Sequence, residues 1–315
     1  MLEILGITTP IFLLIGLGYL AMRLRLTTRE QLQGVGSFVM YFALPALVIR
    51  ALSEHPLDEV MHLGYLLAYG LGSLAVFLLA LAITRWQRKP LNAGALYALG
   101  MAASNSGFVG YPVAFMVLGS PAAIFLALNM LVENLLIIPA ALILAELGSQ
   151  RGATLRATLQ QTASRLARNP IILGLLVGVG LSLSDLSLPG PIAQTIGMLA
   201  TAAAPAALFV IGGSLYGLKT RGMASDVGLI VIGKLILHPL AVLAMLLILP
   251  PMDPLLMAGA LLFACAPMIS VYPLFGQRYG VGEISAAALM VATLGSFFSL
   301  SLAIWLMSLA RLLPG

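Results

Sequence analysis

Two stretches of this sequence put polar and helix-breaking residues where an anion could be held: Ser104–Pro112 (SNSGFVGYP) and Ala266–Pro273 (APMISVYP). Asn105, Ser106 and Ser270 offer amide and hydroxyl groups, and Gly107 and Gly110 let a second backbone come close. The freed N–H groups of an interrupted helix, with the dipole of the half-helix that follows, can face negative charge. Both stretches end in Tyr-Pro, as Tyr111-Pro112 and Tyr272-Pro273, and Pro267 lies inside the second. Asn105, Ser106 and Gly107 disfavour helix continuation, and proline removes the hydrogen bond that would close the preceding turn, so these residues together are read as the cause of the breaks. Small polar residues also pack membrane helices together, so the pairing of the stretches carries the reading of a binding site. Tyr111 and Tyr272 are expected to line the point where the breaks cross, with Met268 as filler.

Three ionisable residues sit in otherwise apolar surroundings. Glu133, followed by Asn134, lies about 16 Å into its segment at about 1.5 Å per residue, and Lys234 about 12 Å into another. His238 is one turn beyond Lys234, before Pro239. Charge at such depth is costly in lipid and marks function by default, here the handling of charge during a transport cycle. The alternative is structural: Lys234 as partner of Glu133, and His238 as a satisfied packing residue. Arg50, near the end of its segment, is expected to snorkel. No nucleophile elbow, metal-binding HExxH or phosphate loop is present, which argues against an enzyme. The single cysteine, Cys265, excludes a disulfide framework, and three scattered histidines speak against a metal site. No cofactor is expected.

The elements that must position these residues follow from composition. Of 315 residues, 61% are hydrophobic and 9% charged. Soluble domains carry about a quarter charged residues, so the chain reads as an all-α polytopic membrane protein in a lipid bilayer. Its net charge of +5 then concerns orientation and not nucleic acid. About twenty apolar residues cross a bilayer core of about 30 Å. Ten segments qualify, at about 5–23, 33–52, 63–84, 93–118, 122–146, 170–188, 190–216, 227–249, 254–276 and 283–309. The start carries Glu3 and no small-x-small cleavage pattern, and reads as a retained span. Connections on one side hold thirteen basic residues, from Arg23 to Arg278, whereas those on the other hold only Arg50 and Arg311. The positive-inside rule then puts both termini on the periplasmic side of a bacterial inner membrane.

The prolines suggest a duplication. Pro10 and Pro170, Pro45 and Pro205, and Pro90 and Pro250 are each 160 residues apart, and Pro112 and Pro273 are 161 apart. Residues 1–146 and 170–315 then form two five-helix repeats. An odd number of spans inverts the second, with broken helices 4 and 9 crossing. Residues 147–169 link them, with Leu155, Leu159 and Leu166 on one side of an expected interfacial helix.

With N-S-G-F-V-G-Y-P in the fourth segment, F-A-L-P-A-L in the second and G-K-L-I-L-H-P-L in the eighth, the sequence resembles the auxin efflux carrier family. Its bacterial members include proteins assigned as malate and malonate permeases, and its plant members export auxin. The resemblance covers nearly the whole chain. It implies a fold like the bile acid:sodium symporters, with helices 1, 2, 6 and 7 as a panel and helices 3–5 and 8–10 as a transport core. It also implies a homodimer, and a substrate carboxylate at Asn105, seven residues before the crossover proline. The expectation is a secondary transporter of a small organic anion, sodium-independent or proton-linked, with Lys234 in the place of a bound cation. A sodium-coupled symporter is the main alternative, and a channel or an intramembrane enzyme the remote ones.

Overall fold

The computed structural model describes residues 2–54, 62–149, 160, 163–164, 167–184, 188–216, 224–310 and 312–313. Among these, seven helices are long and apolar enough to cross a membrane. They are Arg29–Ser53, Leu63–Trp86, Leu91–Leu118, Ala122–Gly148, Gly190–Ser214, Ala224–Ile248 and Gly282–Leu309. The expected first, sixth and ninth segments coincide with shorter apolar helices, Leu13–Arg23, Pro170–Leu183 and Pro254–Cys265. Ordinals below follow these ten positions. Most of the 147–169 link, with its expected interfacial helix, lies outside the described residues.

Side-chain caps open three segments. Thr28 Oγ1 accepts from the Gln31 N–H while Gln31 Oε1 accepts from the Thr28 N–H, a capping box that starts the second. Asn169 caps the sixth through the N–H groups of Ile171 and Ile172, and Asp253 caps the ninth through that of Leu255. Proline follows each of these last two caps, at a position where its missing N–H costs nothing.

The breaks lie upstream of the two Tyr-Pro pairs. Helix Leu91–Ala102 ends in extended backbone at Ala103 (φ −102°, ψ 140°) and restarts at Ser106, six residues before Pro112. Helix Pro254–Cys265 gives way at Ala266 (ψ 150°) and restarts at Tyr272, with Pro267 in the gap. Pro112 and Pro273 therefore shape the restarted helices and do not cause the breaks. Their relatives elsewhere show how. Four π-turns occur among the described residues: Val39–Ala43, Ser106–Gly110, Glu133–Ile137 and Gly233–Leu237. Each ends two residues before a proline, namely Pro45, Pro112, Pro139 and Pro239. The residue before each proline donates its N–H five positions back, as from Ile138 to Glu133 and from His238 to Gly233. A proline ring crowds the carbonyl four residues earlier, and one widened turn makes room while the helix continues.

Packing sorts the helices into two groups. The first segment packs along the seventh, and the second along the sixth and seventh. The third packs on the fourth and eighth, the fourth on the fifth, and the tenth on the eighth and ninth. The first and seventh segments touch backbone to backbone. A Cβ on Gly18 would strike the Phe209 carbonyl, and one on Gly212 the Ile15 carbonyl. At the end with the basic loops, Glu146 accepts from the Tyr279 hydroxyl (2.9 Å) and pairs with Arg278 (3.3 Å). The Asn92 amide donates to the Tyr279 carbonyl (3.0 Å), so the fourth, fifth and ninth segments are tied there.

Candidate functional site

The two breaks meet. The Asn105 N–H donates to the Pro267 carbonyl (2.7 Å), and Asn105 Nδ2 donates to Ser270 Oγ (2.7 Å). Asn105 Oδ1 accepts from the Phe108 N–H (3.2 Å) and so caps the restarted half-helix. Glycine makes the approach possible at Gly110, where a Cβ would lie 2.8 Å from the Phe263 ring; Gly107 instead admits the second segment, with an added Cβ 2.8 Å from Leu44 Cδ1. Ser270 is partly exposed beside the buried Asn105, so this pair marks an accessible edge of the contact.

Behind it lies a buried polar network. Glu133 Oε1 accepts from the Ser104 N–H (2.9 Å) and from the Ser106 hydroxyl (2.9 Å). The Tyr69 hydroxyl lies 2.9 Å from Ser104 Oγ and 3.2 Å from Glu133 Oε1, so its one proton can serve either. Lys234 Nζ spends its three donors on Ser104 Oγ (2.6 Å), His238 Nδ1 (2.6 Å) and the Ala264 carbonyl (3.2 Å). With Nδ1 accepting, the neutral His238 ring carries its proton on Nε2 and donates it to Ser73 Oγ (2.8 Å). All these side chains are buried. The π-turns bear on this arrangement, since Glu133 opens one and Lys234 is second in another.

The charges match the helix ends they meet. Glu133 sits where the half-helix Ser106–Leu118 begins, and Lys234 sits where Pro254–Cys265 ends. A carboxylate is stabilised at a helix N-terminus and an ammonium at a C-terminus. Glu133 and Lys234 meet through Ser104, which gives its N–H to one and its hydroxyl oxygen to the other.

Not every expected residue gathers here. Asn134 turns away: its Nδ2 donates to the Met130 carbonyl (2.9 Å), and its Oδ1 accepts from Asn169 Nδ2 (3.1 Å) at the start of the sixth segment. Tyr111 and Tyr272 do not face each other. Tyr272 packs on Gly100, whose added Cβ would lie 2.7 Å from the phenol oxygen. Tyr111 instead lines a cavity with Arg50. Pro112 lies in the first α-turn after its π-turn, and Pro273 in the first turn of the second restart. Tyr69 and Ser73 are the members that the sequence did not single out, and Ser104 entered only as the first residue of its stretch.

The membrane transport protein family, which is the auxin efflux carrier family, matches residues 4–306. The chain belongs to this family. It is a membrane transport protein and not an enzyme. It is 33% identical over 297 residues to a Rhizobium meliloti protein named "Putative malonate transporter", covering 93% of this chain and 92% of that one. It is 24% identical over 315 residues to the mouse "Lysosomal cholesterol signaling protein", with 92% of this chain matching 36% of that longer protein.

Proposed function

We propose that this protein is a secondary active transporter of a small organic anion, with the carboxylate held where the two breaks meet. Asn105, Ser270 and the restarted half-helix supply the polar contacts, and malonate is the first substrate to test, given the Rhizobium meliloti relative's name. The segments pair as two inverted five-helix repeats. The first, second, sixth and seventh act as a panel, and the other six as a core that moves against it. This division agrees with the two packing groups.

One observation carries the coupling: Lys234 ties the first break to the end of the helix that leads into the second, through Ser104 and the Ala264 carbonyl. In an inverted-repeat carrier, a bound sodium ion would supply positive charge near the crossing. Here an ammonium with three acceptors stands in its place, so transport needs no sodium. Proton linkage is the companion reading, because Glu133 and Lys234 share Ser104 as a common partner.

The test is uptake of malonate and of monocarboxylates into liposomes carrying the purified protein, with sodium replaced by choline at fixed pH and potential. Uptake is expected to persist without sodium, to vanish in Asn105→Ala and to fall strongly in Lys234→Gln. Steep sodium dependence in the wild type would establish the symporter reading instead. Unchanged flux in Asn105→Ala would move the carboxylate site elsewhere.

A further inference from the structure

A cavity of about 360 Å³ lies between the two packing groups. Arg50 and Thr201, from the second and seventh segments, line one side. Tyr111, Phe115 and Ser120, from the restarted fourth segment and the turn after it, line the other. All five belong to the ends of their segments remote from the basic loops, or lie near mid-segment, as Thr201 does. The cavity therefore faces the side opposite those loops. Tyr111 is six residues along the half-helix from Asn105, about 9 Å at about 1.5 Å per residue. The first turn of that half-helix packs against the seventh segment, so the cavity and the contact between the breaks share a wall.

The lining has one charged side chain, Arg50, and no carboxylate. Its guanidinium reaches over Gly197 of the seventh segment, where an added Cβ would come 3.8 Å from Nη1. A planar cation beside two aromatic rings and a few hydroxyls suits a carboxylate with a small apolar body. The snorkelling expected of Arg50 accounts for its position near the segment end. It does not account for a guanidinium in the wall of a cavity that both packing groups build.

We propose that Arg50 is the panel's counter-charge for the transported carboxylate, engaged only in the state open to the side opposite the basic loops. The inference rests on the carrier reading above, which assigns Arg50 to the panel and Asn105 to the core. Movement of the core carries Asn105 and the anion away from a fixed Arg50. Affinity for the anion from the remote side then depends on both residues, and affinity from the basic-loop side on Asn105 alone.

The experiment measures half-saturating malonate from each side, in proteoliposomes of determined orientation with saturating malonate opposite. Arg50→Gln is expected to raise the value at the remote side at least about tenfold, the loss of one charge-assisted bond, and to leave the basic-loop side within about twofold. Arg50→Lys should restore part of the loss, because the charge returns without the planar fork. Thr201→Asp keeps Arg50 but sets a carboxylate in the same cavity, and should weaken remote-side affinity alone; it decides the matter if Arg50→Gln does not fold. Equal weakening at both sides, or none at either, would overturn the proposal. Asn105→Ala separates the two ideas. If it abolishes exchange while the Arg50 and Thr201 variants change nothing, only the role of Arg50 is lost. If it changes nothing while Arg50→Gln acts on one side, the carboxylate site between the breaks is wrong and the cavity stands.

Discussion

Ser104 carries more of the buried network than its size suggests, because it meets Glu133 through its N–H and Lys234 through its hydroxyl. Ser104→Ala removes one acceptor of a buried ammonium and leaves the carboxylate its backbone donor. A buried donor left unsatisfied costs about 1–3 kcal/mol. We expect a lower unfolding temperature in detergent together with reduced flux. Ser104→Thr, which keeps the hydroxyl, should lie closer to wild type in both. An alanine variant as stable and active as wild type would show that Lys234 finds another acceptor. Glu133, Lys234 and His238 were legible in the sequence, since charge deep in an apolar run stands out. Tyr69 and Ser73 were not, and Ser104 showed only as the start of a polar stretch, without its part in the network. A serine or tyrosine barely disturbs hydropathy, and the pairing of Ser104 with Lys234 spans 130 positions. Asn134 misled by adjacency: consecutive helical residues point in different directions, and it faces Asn169.

At the scale of elements, the positions of the seven membrane-crossing helices and of three shorter apolar ones were legible from apolar length, and the two breaks from runs of Asn, Ser, Gly and Pro. The exact point of rupture was not. Pro112 and Pro273 drew attention, yet the chain gives way several residues earlier; Pro112 instead follows a widened turn, and Pro273 lies in the first turn of its restarted helix, where its missing N–H costs nothing. The recurrence of a π-turn before Pro45, Pro112, Pro139 and Pro239 has a local cause that the sequence does display: a residue-proline pair inside an apolar helix. The glycines of the first segment separate packing from propensity. A Cβ on Gly16 would meet nothing within 4 Å, whereas one on Gly18 would meet the backbone of the seventh segment. Gly18→Ala should destabilise by about 1–3 kcal/mol, as overpacking against an unyielding carbonyl does. Gly16→Ala should be neutral or stabilise by up to about 1 kcal/mol through helix propensity. Thermal unfolding of the two variants side by side checks the contrast; equal effects would mean that the two segments can separate at little cost.

For the molecule as a whole, the distribution of basic loops predicts which side each end faces. The native cysteine, Cys265, is buried, so introduced cysteines can be read against a quiet background. In intact cells, an impermeant thiol reagent should label cysteine at Ser53 and leave cysteine at Ser149 untouched, because Ser149 adjoins the basic link between the halves. The reverse pattern would invert the protein and turn the Arg50 cavity to the cytoplasm. The buried pair has an electrical consequence in the proposed movement. Glu133 and Lys234 travel on the same group of helices, and their charges sum to zero whether both are ionised or a proton has passed from one to the other. The empty core therefore returns without carrying net buried charge through the field. A bound carboxylate adds negative charge, so voltage acts on the loaded step alone. An interior at −100 mV opposes inward passage of each such charge by about 2.3 kcal/mol and favours its outward passage by as much. Unless each anion crosses with a compensating proton, the resting membrane itself biases this carrier toward export.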